Sequence, residues 1–290
     1  MKIAIFSQDI TQDVDNVLSS ILEHQDASKC SFFIHNNLSK CKIHVNNLSF
    51  FKNYDDLDES FDLFISIGGD GTFLRSIEFV RNINLPIIGI NTGRLGFLAT
   101  TKKEKLEKSL TKIINKKFSV EKRSLLKVST ENNSIPMDSF PYALNEISVV
   151  RKDTTSMINV KTSLDGTYIN SYWSDGLIVS TPTGSTGYSL SCGGPVISPT
   201  SNSLVLTPIS PHNLNARPLV ISDSTKIEIS VSGREDFHLL SIDAKIFTLK
   251  NETKIYVQKS DFDIQVANIN NYNFYKTLKD KLLWGKDKRN

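Results

Sequence analysis

The chain is 290 residues long, with 39% apolar and 22% charged residues, the composition of a soluble globular protein with one large domain or two modest ones. A formal net charge of +3 is too small to point to nucleic acid, and no apolar run is long enough to span a bilayer, so neither a nucleic-acid nor a membrane partner is expected. Three cysteines, an odd number behind a start that does not read as a leader, point to reduced thiols and a cytoplasmic protein.

Strands and helices alternate along the first third of the chain. Lys2–Phe6 reads as a strand, because the sequence turns polar straight after Phe6. Val14, Val17, Leu18, Ile21 and Leu22 recur at helical spacing and make one apolar face. Ser31–His35, Leu63–Ile67 and Pro86–Ile90 read as further strands, and Leu106, Leu110, Ile113 and Ile114 as a further helix face. Such alternation implies a doubly wound, mostly parallel sheet, on which ligands bind beyond the carboxyl ends of the strands. Cys30, His35, Cys41 and His44 lie in this region, but their spacing matches no common zinc pattern and no metal-ligating set is expected.

Between the Leu63–Ile67 strand and a helix patterned by Phe73, Ile77 and Val80 lies Gly68-Gly69-Asp70-Gly71-Thr72. Glycines let the backbone approach a ligand closely, and a helix start offers free N–H groups and a partial positive charge. The combination suits phosphate. Asp70 is an anion placed where an anionic ligand would go, which favours a hydroxyl or a metal as its partner over phosphate itself. Asn91-Thr92-Gly93-Arg94-Leu95-Gly96-Phe97 follows the end of the next strand and gives a second glycine loop on the same rim.

From about Ser119 the texture changes to short alternating runs: Leu126–Thr130, Ile147–Arg151, Ile158–Leu164, Gly176–Ser180, Lys226–Val231, Phe247–Leu249 and Lys254–Gln258, with turn signals such as Asp165-Gly166 between them. The expected fold class is α/β plus β. An N-terminal doubly wound, mostly parallel sheet over residues 1–118 precedes a β-rich, sandwich-like domain over 119–268. Residues 269–290, patterned by Phe274, Leu278 and Leu282, are expected to be helical and to pack back on the first domain. Within the β-rich part, residues 173–199 join an Asp175-Gly176 turn to a run in which Thr181, Thr183, Ser185, Thr186, Ser189 and Ser191 alternate with Gly184, Gly187, Gly193 and Gly194. Many amides and hydroxyls with little bulk suit a ligand with a pyrophosphate, sugars and polar base edges. Upstream, Asn145-Glu146 opens a strand with an amide and a carboxylate that can bracket a ribose and a base edge.

These stretches, in this order, resemble the NAD kinase family, and the likeness runs from Phe61 through Pro211-His212-Asn213-Leu214 to Ala216-Arg217-Pro218. The Gly68–Thr72 element is shared with diacylglycerol, sphingosine and 6-phosphofructokinases, whereas the 181–195 stretch is the specific signal. The resemblance implies transfer of the ATP γ-phosphoryl group to the 2′-hydroxyl of the adenosine ribose of NAD, at a site between the two domains. It gives Asp70 the part of orienting the acceptor hydroxyl and accepting its proton late; Asp70→Asn is expected to keep size, hydrogen bonding and folding while turnover falls. It implies that Gly71, Arg75 and Phe97 line the same pocket and that Asn145 and Glu146 hold the adenosine part of NAD. Asp175 is implied at the nicotinamide end, across a subunit interface. Thr186, Gly187, Tyr188, Ser189, Leu190 and Ser191 are implied to wrap the adenosine and phosphates.

Mg²⁺ or another divalent ion, bound chiefly by ATP oxygens, is the implied cofactor, and a homodimer or homotetramer the implied assembly. ATP or polyphosphate as donor and NAD or NADH as acceptor stay open. Two departures from the family pattern stand out. Gly187 takes a place where alanine is common, a change expected to be harmless. Ser241-Ile242-Asp243-Ala244-Lys245 replaces a usual Asp-Gly-Gln-like turn, so no role is assigned around Asp243. The alternatives are a lipid kinase of the same superfamily, which needs an apolar groove that the sequence does not display, and a non-catalytic dinucleotide-binding regulator, which gains nothing from the charge of Asp70.

Overall fold

The structure, a computed structural model, describes every residue except 42–47, 94–95, 137–138, 154, 270–272 and 286–290. The chain divides into two compact units. One runs Met1–Lys122 and resumes at Ile264, and the other is Arg123–Asp263.

In the first unit, strands β1 (Lys2–Phe6), β2 (Ser31–His35), β3 (Ser49–Phe51), β4 (Leu63–Ile67) and β5 (Ile87–Asn91) lie in the order β5-β4-β1-β2-β3. All four pairings are parallel, with Ile5 opposite Ile65 and Ile65 opposite Ile88. Val266, near the end of the long strand Ile255–Asn268, pairs with Ile87 and extends the parallel order past β5. Every residue of β4 and β5 is buried, which explains why both read as unbroken apolar runs rather than alternating ones. Helices α1 (Gln12–Leu22), α2 (Asp70–Val80) and α3 (Leu106–Ile114) bury the faces that their spacing marks out. The sequence missed β3, and the reason is local: of its three residues only Phe51 is buried, so no pattern could form. Phe51 instead joins Phe6, Phe64, Phe79 and His35 in one aromatic cluster. The His35 ring nitrogens lie against Asn37 and the Lys52 carbonyl, and His44 falls outside the described residues.

The second unit is a sandwich of antiparallel sheets. One carries Thr167–Ser174, Ile158–Leu164, Ile227–Ser232 and the start of Ile255–Asn268 side by side. The other runs Leu219–Ser222, Ser203–Ile209, Gly176–Ser180, Glu146–Arg151, Phe237–Ile242, Lys245–Lys250. Val149, Leu177, Val179, Leu206 and Leu240 from the second sheet share a core with Val160, Ile229, Val231, Ile255 and Val257 from the first. The α/β plus β class is thus present as read. Phe237–Ile242 and Ser203–Ile209 were not legible as strands because a polar residue stands among the buried places of each. His238 is fully buried, its Nδ1 2.9 Å from Asn251 Oδ1, and Thr207 is fully buried beside Pro208. The Asp165-Gly166 turn sits where expected, both residues at positive φ (48° and 80°), the conformation of a two-residue hairpin turn.

Helix α2 fixes where Asp70 stands, and Phe73, Ile77 and Val80 seat that helix, each 1% exposed or less. Removing the Phe73 ring should cost about 3–5 kcal/mol through lost burial and the cavity left behind. Urea unfolding of Phe73→Ala measures this, and a loss near zero would show that the ring does not anchor α2.

Candidate active site

Asp70 is the first residue of α2, after Gly69, which offers no side-chain cap. The first turn of the helix therefore has no side-chain cap, the kind of helix end that suits an anion. The Asp70 carboxylate turns instead to the second glycine loop. Its Oδ2 accepts the Phe97 amide at 2.7 Å, and its Oδ1 accepts those of Leu98 and Ala99 at 3.0 and 2.9 Å. Gly96 makes this approach possible, since a Cβ there would stand 1.8 Å from Asp70 Oδ1. Asn91 staples the same loop: its Oδ1 accepts the Gly93 amide at 2.8 Å and its Nδ2 donates to the Ala99 carbonyl at 3.4 Å. The two glycine elements, with 18 residues between them in sequence, are thus one structure.

This geometry corrects one expectation. Asp70→Asn does not keep the hydrogen bonding, because all three partners are donors and the Asn amide would present a further donor to one of them. Gly71 and Arg75, four residues apart on one exposed face of α2, stand in open surroundings. Phe97 is half-buried. Its ring lies 6.4 Å from that of Phe274 at 43°, and Lys281 Nζ stands 4.5 Å above it, so the helix Phe274–Leu282 packs on the loop that Asp70 holds.

In the second unit, Asn145 and Glu146 stand where the sequence marks them, at the head of a central strand. What fixes them is Asp243, the residue left unassigned. Its Oδ2 accepts the Leu144 amide at 2.8 Å, and its Oδ1 those of Asn145 and Glu146 at 2.9 and 3.0 Å. Opposite, Thr181 Oγ1 donates to the Leu144 carbonyl at 2.6 Å and the Thr181 amide to that of Asn145 at 2.9 Å. The Glu146 carboxyl is buried, and its Oε2 has no hydrogen-bond partner among the described residues. Burial, and secondarily the charge of Asp243, raise its pKa from the ordinary 4.5 to about 8, against a smaller opposing effect of the Tyr188 amide.

Gly187 lies against the same carboxyl: a Cβ there would come within 2.9 Å of Glu146 Oε2, the mobile end of that side chain, so alanine would ask only for a small shift of the carboxyl. The hydroxyl run divides in two. Thr181, Ser185 and Ser189 are fully buried and bonded inside: Ser185 Oγ donates to the Pro182 carbonyl at 2.7 Å, and Ser189 Oγ lies 2.8 Å from Thr207 Oγ1. Tyr188 and Ser191 are exposed, while Thr186, Gly187 and Leu190 are half-buried. Asp175 pairs within its own chain, its Oδ1 3.0 Å from Arg151 Nε. Arg151 in turn borders an open cavity of about 760 Å³ shared with Met157, Trp173 and Arg234. Nothing in the sequence marked Arg151, because an arginine at a strand end is an ordinary surface residue.

The model of the ATP-NAD kinase N-terminal domain matches residues 14–118, and that of the ATP-NAD kinase C-terminal domain matches residues 144–269. An NAD kinase from Christiangramia forsetii is 52% identical over the whole of both chains, and one from Flavobacterium psychrophilum 48% identical, again over both in full. Among solved structures, an Archaeoglobus fulgidus NAD kinase in complex with ATP superposes with a TM-score of 0.76 at 28% identity, covering 98% of this chain and 99% of that one. Yeast NADH kinase complexed with NADH has the same fold, with a TM-score of 0.87 at 21% identity over 99% of this chain and 88% of its own. The chain belongs to the ATP-NAD kinase family, and it is an enzyme that phosphorylates NAD.

The raised pKa of Glu146 has a signed consequence for stability. A group with a folded pKa above its unfolded value favours the fold at low pH and loses that contribution as pH rises, here between about 4.5 and about 8. Glu146→Gln, which mimics the neutral form, should therefore leave the melting temperature nearly unchanged at pH 5 and raise it relative to the parent at pH 8.5. Equal shifts at both pH values would show that Glu146 does not carry this penalty.

Proposed function

We propose that the Asp70 loop and the Asn145–Glu146 turn bind the acceptor, and that the γ-phosphoryl group of ATP passes to the 2′-hydroxyl of the adenosine ribose of NAD. The observation that carries this reading is the Asp70 carboxylate at an uncapped helix start, locked by three amides beside donors suited to phosphate. Phosphoryl transfer asks mainly for alignment and charge neutralisation rather than covalent chemistry from the protein. Asp70 aligns the hydroxyl and receives its proton late in the transfer. Gly71 leaves the helix start open to phosphate, Arg75 supplies positive charge on the same face, and Phe97 gives the pocket an apolar wall. Glu146 accepts from ribose hydroxyls and Asn145 reads the base edge. Tyr188 and Ser191, with Thr186, Gly187 and Leu190, cover the adenosine and phosphates, and Ser189 supports them from beneath.

Mg²⁺ is the divalent ion of this reading. Among the described residues no group of three or more His, Cys, Asp or Glu side chains is placed to hold a metal, and both Asp70 oxygens already accept amides. The donor set therefore fits an ion carried on ATP oxygens, where it would neutralise charge on the transferring group. A cytoplasmic setting is supported by Cys30, Cys41 and Cys192, all of them free thiols.

The assembly is read as a homo-oligomer, a dimer or tetramer. Thr167–Ser174 and Leu219–Ser222 lie at the ends of their sheets, and they expose Tyr168, Ile169 and Trp173 on one and Leu219 and Val220 on the other. Open sheet edges with apolar side chains suit a second copy of the chain.

Purified protein with ATP, Mg²⁺ and NAD should yield NADP, detected by a coupled NADP-specific dehydrogenase. Asp70→Asn should lower turnover on the order of a hundredfold or more. Because it loses an acceptor for buried amides, it should also cost about 1–3 kcal/mol of stability. Near-normal turnover in the folded variant would remove Asp70 from the reaction. By sedimentation the active protein should run as a dimer or larger, and Trp173→Lys should shift it toward monomer; a fully active monomer would refute the oligomer.

A further inference from the structure

Asp243 occupies the turn between Phe237–Ile242 and Lys245–Lys250, at a φ of 47°. Few side chains other than Asn and Asp accept that conformation readily. From there its carboxylate takes the amides of three consecutive residues, Leu144, Asn145 and Glu146, while its own amide donates to the Glu146 carbonyl at 3.0 Å. Hydrogen bonds to a charged acceptor are stronger than neutral ones. Four bonds between one residue and one peptide turn, across nearly a hundred positions of sequence, are more than a hairpin needs to close.

The arrangement also carries an electrostatic penalty. It brings a second carboxylate toward Glu146, whose Oε2 is already buried without a partner. A carboxylate is the side chain that can accept all three amides, so the brace and the penalty come together. The arrangement makes sense if what matters is the location of the Glu146 carboxyl, whose Oε2 lies close against Gly187.

We propose that Asp243 is a positioning residue for the acceptor: it holds the 144–146 turn so that the Glu146 carboxyl meets the ribose hydroxyls of NAD, and its charge couples that encounter to release of a proton. The proposal rests on the reading of Glu146 as an acceptor-binding residue. Burial and the Asp243 charge favour the protonated Glu146 carboxyl. Hydroxyl donors favour the ionised form. Binding of NAD then transfers the Glu146 proton to solvent and leaves the carboxylate accepting from the ribose. The titratable groups that face Glu146 are Asp243 from its turn, and Tyr188 and Cys192 from the segment that follows Gly187. The last two are both raised, by burial first, and by the charge of Glu146 among other causes.

Calorimetry of NAD binding to the full chain from pH 6 to pH 9, in buffers of different ionisation enthalpy, tests this. The parent should bind more tightly as pH rises, level off above about 8, and release a proton on binding at pH 7. Asp243→Asn should shift that rise to lower pH, and at pH 8.5 should weaken binding by about tenfold, the scale of one hydrogen bond to a charged group. Glu146→Gln should abolish the pH dependence, and adding Asp243→Asn to it should change little more, because the positioned carboxyl is gone. Asp243→Glu keeps the charge but misplaces it, so it should weaken binding with the rise at its parental pH; it serves also if the Asn variant does not fold. Parental affinity and parental pH profile in a folded Asp243 variant, while Glu146→Gln loses both, would overturn the proposal and leave Glu146 as an acceptor residue. Parental NAD binding by Glu146→Gln would overturn the reading of Glu146 itself.

Discussion

Three consecutive backbone amides, those of Phe97, Leu98 and Ala99, converge on the carboxylate of Asp70, and the shape of the first unit's rim depends on that contact. Ordering each residue of a loop costs about 1–2 kcal/mol of conformational entropy, against which Leu98 and Ala99 are buried here. One charged acceptor serving three donors offsets part of that cost at a single point. The arrangement explains why glycine stands at 96, where any side chain would strike the carboxylate, while Asn91 takes up the Gly93 amide and the Ala99 carbonyl. The second unit uses the same device independently: Asp243 gathers the amides of Leu144, Asn145 and Glu146. In both units a carboxylate far away in sequence does what a local cap cannot, because the segment it orders is neither a helix nor a strand at that point.

Much of the frame was legible because it follows simple periods. The parallel strands β4 and β5 are mostly apolar runs, the first followed at once by glycine, and α1, α2 and α3 bury the faces that a spacing of three and four marks out. Gly68–Thr72 and Asn145-Glu146 were found as local signals, the first on a strand-to-helix turn and the second on a strand start. The partners that hold them were not local. Asp243 lies almost a hundred residues from the turn it braces, and Phe97 lies in a loop whose relation to Asp70 no spacing rule encodes. The hydroxyl run between Thr181 and Ser191 was read as uniformly ligand-directed. Sequence cannot tell an outward serine from one like Ser189, whose hydroxyl is paired with Thr207 in the core. Strands such as Phe237–Ile242 escaped for the matching reason: a buried His238, whose Nδ1 meets Asn251, looks polar in a pattern search and apolar in its burial.

Glu146 shows what such a site gives up in stability. A carboxyl that is buried, short of a partner and near another carboxylate is a net cost to the fold whenever it is ionised. Proteins retain groups of this kind where a ligand supplies the missing donors, since an unpaired acceptor discriminates strongly between molecules that offer a hydroxyl and those that do not. The neighbours agree with that reading. Gly187 withholds the methyl group that would press on the carboxyl, and Thr181 pins the carbonyls of Leu144 and Asn145 from the other side.

The occupancy of Asp70 bears directly on how it acts in the proposed reaction. A carboxylate offers about four lone-pair directions, and three here already accept amide protons. One remains, enough to align a single hydroxyl and too few to hold a metal ion and a hydroxyl together. Phosphoryl transfer through a loose transition state develops little charge on the attacking oxygen until bond formation is advanced, so a strong base is not what the chemistry requires. A fixed acceptor is, because a misplacement of about 1 Å can cost on the order of a hundredfold in rate. The amide cluster supplies fixity by occupying the very lone pairs that a stronger base or a metal cage would need. The sequence context obeys the same constraint: Gly69, Gly71 and Gly96 stand around the carboxylate, and the loop that receives it brings amides, rather than side chains, to it.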